Sequence, residues 1–256
     1  DDGLVDPKTC KGCGGVVTVP VPELEEVVDP TDPCSKLKDL FNVPITPSLK
    51  DIIQNHLETD IAINPNGEKG AVITKDASGN YSRAILPPTS TALIGIPTAT
   101  TIPGLYVAIH THPTFVTFPM FSWSDIYVLH SINSEIDSHN EGLATFLLTC
   151  DLDGTGNYQT YAIVFNDSTA DIVDMILNNP FNNGMTKKQI AFSMDAELEK
   201  KFKAEYKNGT KDYERAFLEQ IFNTNVSLYK ANSALDNWDR LELNQTSNNV
   251  QNIPCN

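Results

Sequence analysis

Residues 107–126 contain two histidines and an aspartate at a spacing that can bind a metal ion. His110 and His112 follow a short apolar run typical of a buried strand. Side chains on a strand repeat every two residues, so both imidazoles leave the same face. Asp125 falls in the first turn of a helix predicted to begin near Ser122, where its carboxylate can turn back toward the same ion. Two nitrogens and one oxygen leave a fourth position for water, which is the ligand count of a catalytic zinc. The spacing therefore predicts a Zn²⁺ site formed by His110, His112 and Asp125.

A site of this kind supports the hydrolysis of a carbonyl compound. Zinc with three protein ligands lowers the pKa of its bound water to about 7, so hydroxide is available at neutral pH. The reaction also needs a base for the water proton, an acid for the leaving amine and a donor for the oxyanion. One carboxylate near the metal can act as base and then as acid, and a hydroxyl can act as the donor.

The sequence around these residues resembles the signature of a known enzyme family. His110-Thr-His-Pro113, followed by Ser122-Trp-Ser-Asp125, is similar to the JAMM motif of the JAB/MPN metalloprotease superfamily. The resemblance covers about residues 58–166. It implies that His110, His112 and Asp125 bind zinc, that Ser122 supports the oxyanion and that a glutamate on an earlier strand activates the water. It also implies a JAB/MPN (cytidine-deaminase-like) core and a zinc metallopeptidase that cleaves peptide or isopeptide bonds in a peptide or protein substrate.

Glu68 is the residue that we assign to the glutamate of this motif. It precedes Gly70 at the start of an apolar strand, which resembles the Glu-x-Gly pattern of bacterial members of the family. Glu58 is the alternative, in a predicted helix-to-strand junction with no glycine two residues later. The sequence departs from the family between Pro113 and Ser122, where eight residues stand, one or two more than the commonest spacing. A bulged loop or a shifted first helical turn is expected there.

Other interpretations of the same residues stay open. Ser122 and Asp125 also match a helix capping box, in which the acid only satisfies backbone donors. Ser124 is an alternative N-cap, and in that case Ser122 faces the site. Four aromatic residues could line a substrate groove or form the core under the loop: Phe115, Phe118, Phe121 and Trp123.

Three further site types are less consistent with the sequence. Residues 151–157 resemble the start of a calcium loop, but Ala162 stands where an EF-hand needs a glutamate, so a hairpin turn is the better interpretation. The His-x-His pair also opens the site of PHP-type phosphoesterases, which need further ligands, and only His130 and His139 remain after Asp125. The alternative from a different class is an exported or surface-attached binding protein with a non-catalytic metal site.

Composition limits the class of partner. The 256 residues are 40% hydrophobic, enough for a sizeable core, and a net charge of -15 argues against nucleic acid and anionic membranes as partners. No apolar run is long enough for a transmembrane segment. The chain starts at Asp1, and residues 1–33 are rich in proline, glycine and acids. We therefore expect a flexible arm behind a removed leader, in an exported protein that is periplasmic or held at the cell surface, for example by a lipid anchor.

The cysteine pattern predicts no second metal site. Five cysteines leave at least one thiol unpaired in a monomer. Cys10 and Cys13 form a CxxC, but no second CxxC follows, so a zinc knuckle is not expected. A disulfide such as Cys34 with Cys255 would join the arm to the C terminus, although the sequence does not decide the connectivity.

The order of the helices and strands that must position the site predicts an α/β (α+β) fold, with a mixed β-sheet flanked by helices. Residues 32–57 predict two short helices, the first capped by Asp32 or Ser35. Residues 70–75 and 81–86 predict a hairpin, residues 124–136 a helix, and residues 144–150 and 158–165 a second hairpin.

The rest of the chain is predicted to be helical, with a strand-like run at the end. Helices are expected over residues 168–177, 195–209 and 212–225, with these side chains on the inner faces: Phe202, Tyr206, Phe217, Leu218, Ile221 and Phe222. The predicted organisation is an arm (1–33), a JAMM-like core with N-terminal helices (34–166) and a helical C-terminal extension with a terminal strand (167–256).

Overall fold

Eight strands of the described residues form one mixed sheet that carries the histidines near its middle. The structure, a computed structural model, describes residues 32–64, 66–87, 103–113, 117–134, 145–165, 176–177 and 184–255. The strands lie in the order β2-β1-β3-β4-β5-β6-β7-β8. Their bounds are β1 Gly70–Lys75, β2 Tyr81–Leu86, β3 Leu105–His112, β4 Thr145–Asp151, β5 Tyr158–Phe165, β6 Val226–Ala231, β7 Trp238–Asn244 and β8 Asn249–Pro254. Only β3 and β4 pair in parallel, and the other described neighbours are antiparallel.

In the part of the chain that the structure describes, five helices of three residues or more pack on this sheet. They are α1 Pro33–Leu40; α2, which runs from Leu49–Asp51 through a π-helical segment Ile52–Leu57 to Glu58–Ile63; α3 Trp123–Ser134; α4 Lys187–Asn208; and α5 Tyr213–Ile221. Helix α3 connects the parallel strands β3 and β4, so these three elements form a βαβ unit. Within the described part of the chain, every helix is too short or too polar to span a lipid bilayer.

The sheet separates two apolar cores. One core lies under α3, α4 and α5 and includes Phe121, Trp123, Phe146, Phe202 and Phe217. The other lies under α1 and α2 and includes Leu37, Ile53, Ile109 and Trp238. Alternate residues of the central strands enter alternate cores, as the period of two requires: Ala108 faces α3, and Ile109 faces α1 and α2. The fold class is therefore a mixed α/β sheet with helices on both faces, as predicted.

Several local expectations are confirmed. The first hairpin has the predicted bounds, and the second begins and ends within one residue of them. Asp32 caps α1, accepting hydrogen bonds from the backbone N–H groups of Cys34 and Ser35. Residues 151–157 form the turn between β4 and β5, in which Asp151 accepts backbone N–H groups, so the hairpin interpretation is correct.

Other expectations need correction. Tyr206 and Phe222 are 62% and 48% exposed, because they lie in the last turn of α4 and at the C-cap of α5, where few neighbours cover a helix. Glu58 lies within α2 rather than at a helix-to-strand junction. The C-terminal region contains three strands where one terminal strand was expected, and all three continue the same sheet.

A disulfide joins the two ends of the described chain. Cys34 at the start of α1 is bonded to Cys255 just after β8, 221 residues later. This is the pairing that the sequence allowed without selecting it. Cys150 is free and buried. Cys10, Cys13 and nearly all of the expected arm lie outside the described residues, as does most of the helix expected over 168–177.

Candidate metal centre

The βαβ unit brings the predicted ligands together at the carboxyl end of β3. His110 and His112 lie in the last three residues of β3, and Asp125 lies in the first turn of α3. A helix that follows a strand begins at that carboxyl end, which is where open α/β sheets place their ligands. The three residues are buried, and their exposed fractions are 2% for His110, 6% for His112 and 8% for Asp125.

The ligand atoms of these residues converge on one point. His110 Nε2 lies 3.1 Å from His112 Nε2 and 3.2 Å from Asp125 Oδ1. His112 Nε2 lies 3.6 Å from Asp125 Oδ2. One ligand atom from each residue lies within 4.8 Å of the other two. The structure therefore groups all three predicted ligands.

Hydrogen bonds at the other ring nitrogens fix the tautomer of both histidines. His110 Nδ1 lies 3.1 Å from the carbonyl oxygen of Leu147, and His112 Nδ1 lies 2.8 Å from that of Phe118. A carbonyl oxygen can only accept, so each Nδ1 carries a hydrogen, and in the neutral ring each Nε2 is then the lone-pair nitrogen that faces the site. The Phe146 ring stacks on His110 at 4.6 Å between centroids and holds its plane. Metal-binding histidines are commonly oriented by an Nδ1–H bond to a backbone carbonyl in this way.

The charges around the site favour a cation at this point. Burial shifts the pKa of His112 down to about 4, which outweighs the opposing effect of Asp125, so His112 is neutral at neutral pH. For His110, burial also acts to lower the pKa, but the carboxylates of Asp125 and Glu68 and two hydrogen bonds outweigh it, and the pKa is raised. Burial acts to raise the pKa of Asp125, but the two histidines and Ser122 outweigh it, and the pKa lies below its ordinary value. An ionised carboxylate thus faces two imidazole nitrogens.

The donor set and its spacing fit zinc. With Zn–N and Zn–O bonds of roughly 2.0–2.1 Å and tetrahedral angles, neighbouring ligand atoms stand about 3.3 Å apart. The His110 Nε2 distances to His112 Nε2 (3.1 Å) and to Asp125 Oδ1 (3.2 Å) are close to that value, and one ligand atom from each of the three residues lies within 4.8 Å of the other two. Two imidazoles and one carboxylate also leave one tetrahedral position for water or substrate.

Glu68 lies beside this group. Strand β1 pairs with β3 so that Gly70 is opposite His110, and the N–H of Thr111 donates to the carbonyl of Lys69 at 2.8 Å. Antiparallel pairing continued by one residue places Glu68 across from His112, with its side chain on the face of both histidines. Glu68 is 5% exposed, and its charge helps to raise the pKa of His110.

Ser122, not Ser124, is the N-cap residue of α3. The Ser122 hydroxyl accepts the N–H of Asp125 at 3.2 Å, and the Asp125 carboxylate accepts the Ser122 N–H at 2.7 Å and its hydroxyl at 2.8 Å. This is a complete capping box, so the expectation that Ser124 could be the N-cap is wrong. The capping box and the candidate ligand are the same Asp125 side chain.

The aromatic residues beside the site belong mostly to the core. Phe121 and Trp123 are buried, and the half-buried Phe118 packs on Phe202 and Tyr213. Phe115 lies outside the described residues. His130 is buried in α3, as expected for a structural histidine.

Asp195 is a residue at the site that the sequence did not indicate. It lies in α4 and accepts hydrogen bonds from the N–H groups of Trp123 at 2.5 Å and of Ser124 at 3.2 Å, and from the Ser124 hydroxyl. Burial and the nearby charge of Asp125 raise its pKa. Asp195 lies 72 residues after Trp123, at the start of a charged helical run. Nothing in the sequence near either residue therefore indicated this contact.

Comparison of the chain with protein-family models, with curated proteins and with solved structures gave no match.

Proposed function

We propose that this chain is a zinc-dependent hydrolase of peptide or isopeptide bonds, related to the JAB/MPN superfamily, with a peptide or protein as substrate. The observation that carries the proposal is the convergence of His110 Nε2, His112 Nε2 and the Asp125 carboxylate within 4.8 Å of one another, with two separations, 3.1 and 3.2 Å, near the edge length of a zinc tetrahedron. His110, His112 and Asp125 would hold the ion. A zinc ion in this place supplies a Lewis acid and a water whose pKa is about 7.

Glu68 is the proposed base. It is a buried carboxylate on the same face of the sheet as both histidines. In the proposed reaction Glu68 accepts a proton from the attacking water and returns it to the leaving nitrogen. Glu58, the alternative, lies in α2, which packs on the opposite face of the sheet. That placement favours Glu68.

Ser122 is the proposed oxyanion donor, and its hydrogen bonds restrict that role. A hydroxyl has one proton, and the Ser122 hydroxyl donates it to Asp125 Oδ2. The Ser122 backbone N–H also donates to this oxygen. Rotation of the hydroxyl toward an oxyanion would therefore leave Asp125 Oδ2 with one donor.

The proposal is tested by a pair of matched variants, Glu68→Gln and Glu58→Gln. Wild type purified without added zinc should contain one zinc per chain, and both variants should retain it. Hydrolysis of a quenched fluorescent peptide library, with α-peptide and lysine ε-isopeptide bonds, should fall by about 10²- to 10⁴-fold in Glu68→Gln. Glu58→Gln should stay near wild type. Full activity in Glu68→Gln would refute the assignment of the base.

Burial of the site favours a second candidate, an exported or surface-attached binding protein with a non-catalytic metal. The three ligand residues are almost fully covered in the described part of the chain. Zinc that is present at one per chain, without hydrolysis of any library member and without exchange for added cobalt, would support this candidate over the enzyme.

Export of the protein is also a proposal, and the disulfide supports it. Disulfides persist in oxidising compartments and are rare in the cytosol, so the Cys34–Cys255 bond fits a periplasmic or surface location. Fractionation of the cells that make the protein, followed by thiol labelling, tests this.

A further inference from the structure

The N-terminus of α3 receives part of its cap from a residue of another helix. The first N–H groups of a helix have no partner within the helix. In α3 the N–H of Asp125 is accepted by Ser122, whereas those of Trp123 and Ser124 are accepted by Asp195 Oδ1. The Ser124 hydroxyl donates to the other oxygen of Asp195. One carboxylate from α4 thus completes the cap of α3.

This cap affects the candidate metal site because Asp125 directly follows Ser124 in the chain. Trp123 and Ser124, which Asp195 binds, set the backbone path into Asp125. Asp125 itself has to place Oδ1 toward His110 while Oδ2 accepts from Ser122. A small rotation of the first turn would move Oδ1 away from the two imidazole nitrogens.

Helix α4 holds Asp195 in a defined position. Ile190, Ala191 and Leu198, on either side of Asp195 along α4, are buried in the core shared with α3. Negative charge at a helix N-terminus is also favourable, since the unpaired N–H groups carry partial positive charge. Asp195 therefore has both a fixed backbone and an electrostatic reason to stay at the start of α3.

We infer that Asp195 is a positioning residue of the metal centre, which sets the direction of the Asp125 carboxylate by holding the first turn of α3. The inference rests on the proposed metal site. Residues that orient metal ligands typically change metal affinity by 10- to 100-fold when they are replaced.

Asp32 offers a matched control on the other face of the sheet. It caps α1 with the same set of contacts, since it accepts two backbone N–H groups, of Cys34 and Ser35, and the Ser35 hydroxyl. Asp32→Ala removes an equivalent cap, but α1 packs in the core that does not contain the histidines. A purely structural role predicts similar behaviour of Asp32→Ala and Asp195→Ala.

The experiment measures zinc affinity by competition with a chromophoric chelator, and the visible spectrum of the cobalt-loaded protein. For Asp195→Ala we expect a Kd for zinc about 10- to 100-fold higher than wild type and a weaker, shifted cobalt spectrum. For Asp32→Ala we expect wild-type values. Asp195→Asn should stay within about threefold of wild type, because the amide oxygen still accepts both N–H groups.

Asp195→Ala with a Kd within twofold of wild type and an unchanged cobalt spectrum would overturn this inference and leave the proposed function intact. A wild-type protein that binds neither metal would overturn both. If Asp195→Ala does not fold, Ser124→Ala removes only the hydroxyl contact. We then expect a smaller rise in Kd, about threefold, and an unchanged Kd contradicts the inference.

Discussion

The two oxygens of Asp125 have separate tasks. Oδ2 accepts the N–H and the hydroxyl of Ser122, and this closes the first turn of α3. Oδ1 lies 3.2 Å from His110 Nε2 and faces the candidate metal site. The capping box and the metal ligand, which are rival interpretations of one sequence pattern, are therefore compatible: the cap holds the oxygen that the metal needs.

A second residue-scale feature is Lys36, which α1 buries against the sheet. Its ammonium lies 5.2 Å from the centroid of the Tyr106 ring, and burial, with a smaller effect of the Lys75 charge, lowers its pKa to about 7 from 10.5. Between these two values the unfolded chain binds a proton that the folded chain has released, so this group makes the protein more stable as the pH rises from 7 toward 10.5. Below pH 7 the cost of burying the charge is fully present.

We therefore predict that Lys36→Met gains most in stability over wild type near pH 6, and that the gain shrinks as the pH rises to 9.5. The difference should fall by up to about 1 kcal/mol per pH unit above pH 7. Urea unfolding at pH 6, 7, 8 and 9.5 measures it. Lys50→Met removes a more exposed ammonium 5.7 Å from the Phe41 ring centroid, and controls for loss of a cation–π contact. A difference between Lys36→Met and wild type that does not vary with pH contradicts the prediction.

At the scale of elements, the parts with local signals were predictable from the sequence. The β1–β2 hairpin has its predicted bounds because Asp76 accepts the N–H groups of Ser78 and Asn80, the turn chemistry that the sequence indicates. Helix α4 begins at Lys187, whereas the start predicted from the sequence was Asp195. The true start also had a local signal, because Thr186 and Gln189 form a capping box. Strand β8 had none, because its residues are mostly exposed and show no apolar alternation.

The residues of the candidate site also fall into two groups, those that a local sequence pattern predicted and one that no local pattern predicted. His110, His112 and Asp125 follow from strand and helix periods within one βαβ unit, so a short stretch of sequence was enough to group them. Asp195 comes from helix α4, which follows β4 and β5 in the sequence, and it lies 72 residues after Trp123. Contacts of that range depend on tertiary packing, which local periodicity does not encode.

The link between β1 and β3 gives an element-scale prediction, because it positions Glu68. The N–H of Lys69 donates to the Thr111 hydroxyl at 2.9 Å, and Thr111 is fully buried. Thr111→Val keeps the shape but removes the acceptor, which should weaken this pairing by about 1–2 kcal/mol. The Lys69 amide should then exchange its hydrogen about tenfold faster or more.

Thr111→Ser is the control for that change, since it keeps the acceptor and should keep Lys69 protected. Amide exchange followed by mass spectrometry on a peptide that contains Lys69 measures both variants. Equal protection of Lys69 in wild type and Thr111→Val would show that this hydroxyl does not hold the start of β1.

At the scale of the whole molecule, contacts between the chain ends tie α1 to the sheet. Besides the disulfide, Trp238 Nε1 donates to the Leu37 carbonyl at 2.9 Å, and the Trp238 ring stacks on Phe41. The N–H of Cys255 donates to the Trp238 carbonyl at 2.9 Å. These contacts lie in the core on the face of the sheet opposite His110, His112 and Asp125.

Removal of the disulfide should therefore lower stability and leave the metal centre unchanged. The bond closes a loop of 221 residues, and the loss of such a restraint on the unfolded chain typically costs about 2–5 kcal/mol. We expect a loss of this size in the free energy of unfolding of a Cys34→Ser/Cys255→Ser variant in urea, with zinc content as in wild type. A reductant should bring wild type close to the double variant and leave the double variant almost unchanged. If the double variant loses zinc under conditions where circular dichroism shows it folded, the disulfide and the metal site are coupled, and this prediction is wrong.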